Sequence, residues 1–160
     1  MDLSTFPTGV TGFRIYGPDM YQIGSAVSCA GDINNDGFSD VLIGSPQAYP
    51  SGRDSAGAVY VLFGKSTSAI ADIFLNVFTP GSAGYVIIGS FSSKLGTAVS
   101  AAGDVNDDGV DDFILSAPGE DSDTGAVYVI LGSENMANVA NIITETSLTV
   151  EQGYKITGAT

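Results

Sequence analysis

Two nine-residue windows of the chain share the pattern D-x-N-x-D-G-x-x-D. The first holds Asp32, Asn34, Asp36 and Asp40; the second holds Asp104, Asn106, Asp108 and Asp112. Oxygens at alternating positions of a tight loop can point to one centre, and a donor set of oxygens alone suits a hard cation. Calcium takes about six to eight oxygens at roughly 2.3–2.6 Å, whereas magnesium demands a rigid octahedron and keeps its waters. Gly37 and Gly109 permit the positive φ that carries the chain sharply around an ion. The next inward oxygen is then expected from the main chain, at Phe38 and Val110. Asp40 and Asp112 close each site from the start of the following strand. The expectation is two Ca2+ sites.

The opening half of each window looks like an EF-hand loop, but the closing half does not. An EF-hand needs Glu at its twelfth position and a helix on either side. The twelfth position here is Ile43 or Leu115, inside an apolar run. The loops are therefore hairpin loops. Asp36-Gly37 and Asp108-Gly109 would make favoured hairpin turns even without a metal. What a plain turn leaves unexplained is that every acidic position is kept in both copies.

Composition narrows the field. The 160 residues carry 18 acidic and 5 basic side chains, net charge −13. Eight of those acids, Asp107 and Asp111 included, lie in the two windows, where their mutual repulsion calls for a cation. Acid excess argues against nucleic acid, which needs Lys and Arg to neutralise phosphates, and against an anionic membrane surface. The absence of His removes the commonest general base. Cys29 is the only cysteine, and its place in the apolar run Ala26–Ala30 suggests a buried, inert thiol. No apolar run reaches membrane-spanning length. Met1-Asp2-Leu3-Ser4 shows no basic start or apolar stretch of a signal peptide.

The windows sit inside a repeat. Residues 31–40 match 103–112 at an offset of 72, and Ile23–Ser28 match Leu95–Ser100 at the same offset. Gly57-Ala58-Val59-Tyr60-Val61 matches Gly125-Ala126-Val127-Tyr128-Val129, four residues short of that offset. One short element occurs three times: Gly12-Phe13-Arg14-Ile15-Tyr16-Gly17, Gly84-Tyr85-Val86-Ile87-Ile88-Gly89 and Gly153-Tyr154-Lys155-Ile156-Thr157-Gly158. Aromatic and β-branched residues between glycines read as strands. The expected strands fall near 24–30, 40–45, 57–63 and 84–88, then near 96–102, 112–117, 125–131 and 153–157. The stretches 65–83 and 133–152 read as long connections or extra edge strands, with a helical turn conceivable in 69–78, a run otherwise read as loop. Four-stranded antiparallel sheets repeated along a chain point to a β-propeller, with the small residues of the first strands crowded around its axis.

These residues resemble the FG-GAP repeats of the integrin α-subunit β-propeller and of related bacterial surface proteins. The loop matches that pattern fully in both copies. The flanks depart from it: Ile23-Gly24 and Leu95-Gly96 lack the aromatic, and Gly44-Ser45-Pro46 and Ser116-Ala117-Pro118 are each one residue off. The resemblance implies an all-β fold of two four-stranded antiparallel propeller blades plus an orphan N-terminal strand. Residues 1–17 would hold the outer strand of a preceding blade, 18–89 blade 1 and 90–160 blade 2. It further implies calcium between the first two strands of each blade, ligands on the opposite face, and an extracellular adhesive or protein-binding role without catalysis. Two wedges cannot close a ring, so the propeller is partial or completed by association of chains. An unpaired outer strand is a natural donor for another copy's sheet.

The loops opposite the calcium windows, 17–23, 46–56, 89–95 and 118–124, carry Met20 and the candidate protein- or glycan-binding residues Tyr21, Tyr49, Arg53, Phe91 and Lys94. The same loops hold Glu120, Asp121 and Asp123. Glu120 and Asp121 as neighbouring carboxylates evoke a glycosidase pair, but surface charge is the plainer reading. Besides the binding module, the open alternatives are a self-assembling subunit of a cell-surface fibre or ring, and a propeller attached to a hydrolase.

Overall fold

Glycine and acidic turns cut the chain into runs of five or six residues, and these runs are the strands. A computed structural model describes residues 12–19, 21–66, 72–134, 142–143 and 148–158. In chain order the strands are β1 (Ile15–Tyr16), β2 (Ala26–Gly31), β3 (Asp40–Ser45), β4 (Ala58–Leu62), β5 (Ile73–Phe74), β6 (Gly84–Ile88), β7 (Val99–Gly103), β8 (Asp112–Ala117), β9 (Ala126–Ile130), β10 (Ile142–Ile143) and β11 (Gly153–Thr157). The strands expected at 40–45, 84–88, 112–117 and 153–157 have the bounds the repeat suggests. The innermost strands begin later, at Ala26 and Val99, because Gly24 and Gly96 turn the chain first at φ +83° and +86°.

Each repeat folds into an antiparallel blade, in the order β2-β3-β4-β6 and β7-β8-β9-β11. The blades share register and irregularity alike. The β2–β3 ladder is bulged between Cys29 and Gly31, and the β7–β8 ladder at the corresponding Ala101 and Gly103. An extra residue there twists the strand end and aims the chain into the acidic loop. The acidic window 32–40 and the loop 46–57 flank β3 at its two ends, so they lie at opposite ends of the blade.

Alternation along the strands sorts side chains to two faces. One face of the first blade offers Leu42, Val59, Val61, Tyr85 and Ile87, with Ile33 and Phe63 from its loops. It packs on Phe113, Leu115, Ala117, Tyr128 and Ile130 of the second blade. The other face offers Ile43, Tyr60, Leu62 and Val86, covered by Leu75 and by half-buried Ile15, Tyr21, Ile23, Ile73 and Phe78. With both faces covered, every residue of β4 is buried. Burial pushes the Tyr60 hydroxyl up to about 12, with help from the nearby Tyr21.

The blades approach closely at Gly44. A Cβ there would lie 2.1 Å from the carbonyl oxygen of Gly96. Gly44→Ala is therefore expected to destabilise the fold by about 1–3 kcal/mol, the usual cost of overpacking. An unchanged urea midpoint would mean that the inner strands stand further apart.

Two expectations are corrected, the burial of Cys29 and the unpaired state of the N-terminal strand. Cys29 is exposed, because β2 is an edge strand whose alternate residues, such as Val27, face away from the interblade core. Of the two readings of the connections, that of extra edge strands holds: they contain β5 and β10, with a 3-10 turn at Leu75–Val77. Two-residue strands carry no period of their own; they exist because a neighbouring edge pairs with them. β5 runs parallel to β1, Ile15 opposite Ile73, and β10 runs parallel to β6, Ile142 opposite Ile87. The first blade thereby gains a fifth strand, and β1 is docked on the chain's own β5. Residues 1–11 of the orphan segment, and Met20, lie outside the described residues.

Candidate metal centres

Within each loop the hydrogen bonds are the same, residue for residue. The Asp36 N–H donates to Asp32 Oδ1 at 3.0 Å and to Asn34 Oδ1 at 3.2 Å. The Gly37 N–H donates to Asp32 Oδ2 at 2.8 Å and the Phe38 N–H to Asp36 Oδ1 at 3.0 Å. Asn34 Nδ2 donates to Asp36 Oδ2 at 2.9 Å. In the second loop the Asp108 N–H donates to Asp104 Oδ1 and Asn106 Oδ1, the Gly109 N–H to Asp104 Oδ2, the Val110 N–H to Asp108 Oδ1, and Asn106 Nδ2 to Asp108 Oδ2. Gly37 and Gly109 take φ +88° and +90°. The three opening side chains of each loop are thus gathered around one turn. The N–H bonds from Gly109 and its neighbours hold the exposed Asp104 carboxyl below its ordinary range.

Asp40 and Asp112 sit deeper. Both are fully buried. Asp40 accepts the Ile33 N–H at 3.0 Å and the Gly64 N–H at 2.8 Å; Asp112 accepts those of Val105 at 2.8 Å and Gly132 at 2.7 Å. Each clamps the start of the acidic loop to the end of the blade's third strand. Burial pushes the Asp40 carboxyl up to about 6, against the pull of the Gly64 and Ile33 N–H groups, and the charges of Asp36 and Asp32 raise it further.

The donor set fits a hard cation: carboxylate and amide oxygens, with no nitrogen or sulfur ligand. Among the described residues no three His, Cys, Asp or Glu side chains form a metal cluster by themselves. The gathered set in each loop is two carboxylates and one amide, with the third carboxylate held beneath. A carboxylate oxygen that accepts one N–H keeps a lone pair free.

Asp111, counted among the acids but given no role by spacing, bridges the two blades. Its Oδ2 accepts the Asp32 N–H at 2.9 Å. Alongside it the Ser133 N–H donates to the Ile33 carbonyl at 2.9 Å, and Asn35 Nδ2 to Glu134 Oε1 at 3.0 Å. The first loop is therefore built partly from the second blade. Contacts this distant in sequence leave no local signal.

At the opposite end the candidate ligand loops are also joined. The Ser92 N–H donates to the Asp54 carbonyl and the Lys94 N–H to that of Ser55, both at 3.0 Å. Tyr21 and Tyr49 meet edge to face, 5.0 Å between ring centroids. Tyr49, Phe91 and Lys94 are exposed, and Arg53 is half-buried. Glu120 corrects the expectation of surface charge. It is buried, accepts the Ser90 hydroxyl, and pairs with Lys155 Nζ at 2.9 Å. Asp121 takes the same ammonium at 2.9 Å. Burial alone would lower the Lys155 pKa, but the bonds to Asp121 and Glu120 outweigh it and raise it. These two carboxylates hold a lysine in place.

Repeated four-stranded antiparallel blades, stacked face to face with acidic hairpin loops at one end, define an open piece of a β-propeller. The FG-GAP repeat profile matches residues 24–62 and 95–130, and the chain belongs to the FG-GAP repeat proteins. It is 34% identical to integrin alpha-6 of Gallus gallus over 132 residues, covering 79% of this chain and 11% of the integrin. It is 32% identical to integrin alpha-3 of Mus musculus over 106 residues, covering 66% of this chain and 9% of that protein. It is 35% identical to the phosphatidylinositol-glycan-specific phospholipase D of Bos taurus over 120 residues, covering 71% of this chain and 14% of the enzyme. The chain thus spans about a tenth of the length of the integrins it matches. Among the described residues no helix is long and apolar enough to cross a membrane.

Proposed function

We propose that the chain is a calcium-braced, non-enzymatic module for adhesion or protein interaction outside the cell. The observation that carries this reading is the identical gathering of Asp32, Asn34 and Asp36, and of Asp104, Asn106 and Asp108, at the hairpins that join the inner two strands of each blade. Two Ca2+ ions would be held there, with Asp40 and Asp112 beneath and the main-chain carbonyls of Phe38 and Val110 completing each shell. A bound ion offsets the charge of the loop and adds stability by binding the folded loop in preference to the unfolded chain. The integrin relatives support an adhesive role, and the acid excess leaves nucleic acid a poor partner.

At the other end, Tyr21, Tyr49, Arg53, Phe91 and Lys94 would meet a protein or glycan ligand. Aromatic side chains and arginine are the usual anchors of such contacts. A panel of immobilised extracellular proteins and glycans, probed with and without calcium, tests this. Binding that survives Phe91→Ala and Tyr49→Ala unchanged would move the site elsewhere.

The phospholipase D relative keeps a second reading in view, a propeller attached to a hydrolase. In this stretch the carboxylates Glu120 and Asp121 are committed to Lys155, so no turnover of phosphoesters or glycosides is expected from it. A further candidate partner is another copy of the chain.

A further inference from the structure

Three bonds from the second blade converge on the first acidic loop. Asp111 Oδ2 accepts the Asp32 N–H at 2.9 Å, the Ser133 N–H donates to the Ile33 carbonyl at 2.9 Å, and Asn35 Nδ2 donates to Glu134 Oε1 at 3.0 Å. Asp32 is the first carboxylate of the loop, and its side chain is already held by the N–H groups of Asp36 and Gly37. One blade thus fixes its carboxylate and the other fixes its backbone. Asn35 stands between the gathered Asn34 and Asp36 at φ +54°. A non-glycine residue keeps such a left-handed conformation when its surroundings hold it there, and the bond to Glu134 is part of that hold.

The two carboxylates are particular to the second blade. Asp111 has Ser39 as its counterpart in the repeat, and Glu134 has Ser66. The backbone makes room for the contact. A Cβ on Gly31 would collide with the Asp111 carboxyl, and one on Gly132 would collide with the Asp111 carbonyl oxygen and come within 2.9 Å of that of Ile33. At Gly103, the counterpart of Gly31, a Cβ would meet nothing within 4 Å. Charge alone gives no reason to place these groups here. Asp111 and Glu134 lie against a loop that already holds Asp32, Asp36 and Asp40, and like charges brought together repel. A cation in the loop turns that repulsion into attraction.

We propose that Asp111 and Glu134 are positioning residues for the first calcium site, and that calcium in this loop locks the joint between the two blades. This rests on the calcium reading above and adds a role for the second blade in the first blade's site. Asp111 acts through the Asp32 N–H, and Glu134 acts through Asn35 beside two of the ligands. Coupling of this kind is reciprocal: what the bonds add to calcium affinity, calcium adds to the stability of the joint. A single hydrogen bond changes an equilibrium by about threefold to tenfold, and that is the size of effect expected from each residue.

The test is calcium titration calorimetry on the full chain with one loop silenced at a time, in about 0.15 M salt so that exposed charges are screened. Asp108→Ala leaves the first loop to report, and Asp36→Ala leaves the second. In the Asp108→Ala chain, adding Asp111→Ala or Glu134→Ala is expected to weaken calcium binding by about threefold to tenfold. Asp111→Asn keeps an oxygen for the Asp32 N–H and is expected to restore most of that loss. In the Asp36→Ala chain the same substitutions are expected to leave the second loop's affinity unchanged. Glu134 is exposed and lies outside both acidic windows, so Glu134→Ala reads the joint without threatening the fold. Amide hydrogen exchange reads the lock itself: calcium is expected to slow exchange at Asp32 and Ser133, and to slow it less in Glu134→Ala. Equal weakening of both loops would mean a purely structural role and overturns the proposal. So does a first-loop affinity that Asp111→Ala and Glu134→Ala leave intact, or exchange at Ser133 indifferent to calcium. An Asp111→Asn chain as weak as Asp111→Ala overturns positioning through the Asp32 N–H. If neither loop of the parent chain takes up calcium, the calcium reading fails and the proposal with it; with calcium bound by the parent, the other adverse results overturn the proposal alone.

Discussion

Chelation is expected to lower the melting temperature of this chain by roughly 5–10 °C. The size follows from linkage. A site of about 0.1 mM affinity in about 1 mM calcium adds about 1.4 kcal/mol of stability, and two sites add about 2.8 kcal/mol. For a domain of this length each kcal/mol moves the midpoint by about 2–4 °C. The variants separate the metal from the loop's own bonds. Asp36 also accepts the Phe38 N–H, and Asp108 that of Val110, so Asp36→Ala and Asp108→Ala destabilise even without calcium. The informative quantity is the calcium-dependent part of the shift. It is expected to halve in either variant and vanish in the double variant, measured by scanning calorimetry with and without chelator. A melting curve indifferent to chelator in the parent chain would remove calcium from both loops.

Much of this was legible in the sequence, because the repeat sampled each element twice. Gly-Asp-x-Asn-x-Asp-Gly in two copies fixed where the inner strands turn. The triplicate Gly-aromatic-x-Ile element marked the outer strands β1, β6 and β11. Alternation in Val59, Tyr60 and Val61 showed a strand but not that both its faces are covered, which depends on a neighbour that the strand's own sequence does not name. The short strands β5 and β10 could be placed no more closely than as extra edge strands somewhere in the connections, for a related reason: two residues have no period, and each is a strand only because an edge lies alongside it.

The site divides along the same line. Residues 32, 34 and 36 gather within one turn, so spacing alone announced them. Asp111 and Glu134 reach the first loop from the second blade, and Lys155 reaches Glu120 across 35 positions; no window shows such contacts. An apolar neighbourhood in sequence does not make Cys29 buried. The strand that carries it lies at a sheet edge, where alternate side chains leave the core.

The sharpest test of the interblade core compares two tyrosines at the same place in the repeat. Tyr85 lies wholly buried between the blades, and its ring centroid is 5.9 Å from that of Phe63. Burial pushes its phenol pKa far up, so the hydroxyl stays neutral. Tyr85→Ala is expected to cost about 3–5 kcal/mol, the range for emptying a large aromatic from a core. Tyr154→Ala, at 48% exposure, is expected to cost no more than about 0.5 kcal/mol in dilute solution. The buried hydroxyl itself contributes nothing favourable, since among the described residues it has no hydrogen-bond partner. Tyr85→Phe should therefore be neutral or stabilising, by up to about 1 kcal/mol. The corresponding residue of the N-terminal repeat element, just before β1, is already Phe13. Urea unfolding of the three variants at low protein concentration reads all of these differences. Equal losses for the two alanine variants would mean that the second blade's face is covered as the first one's is.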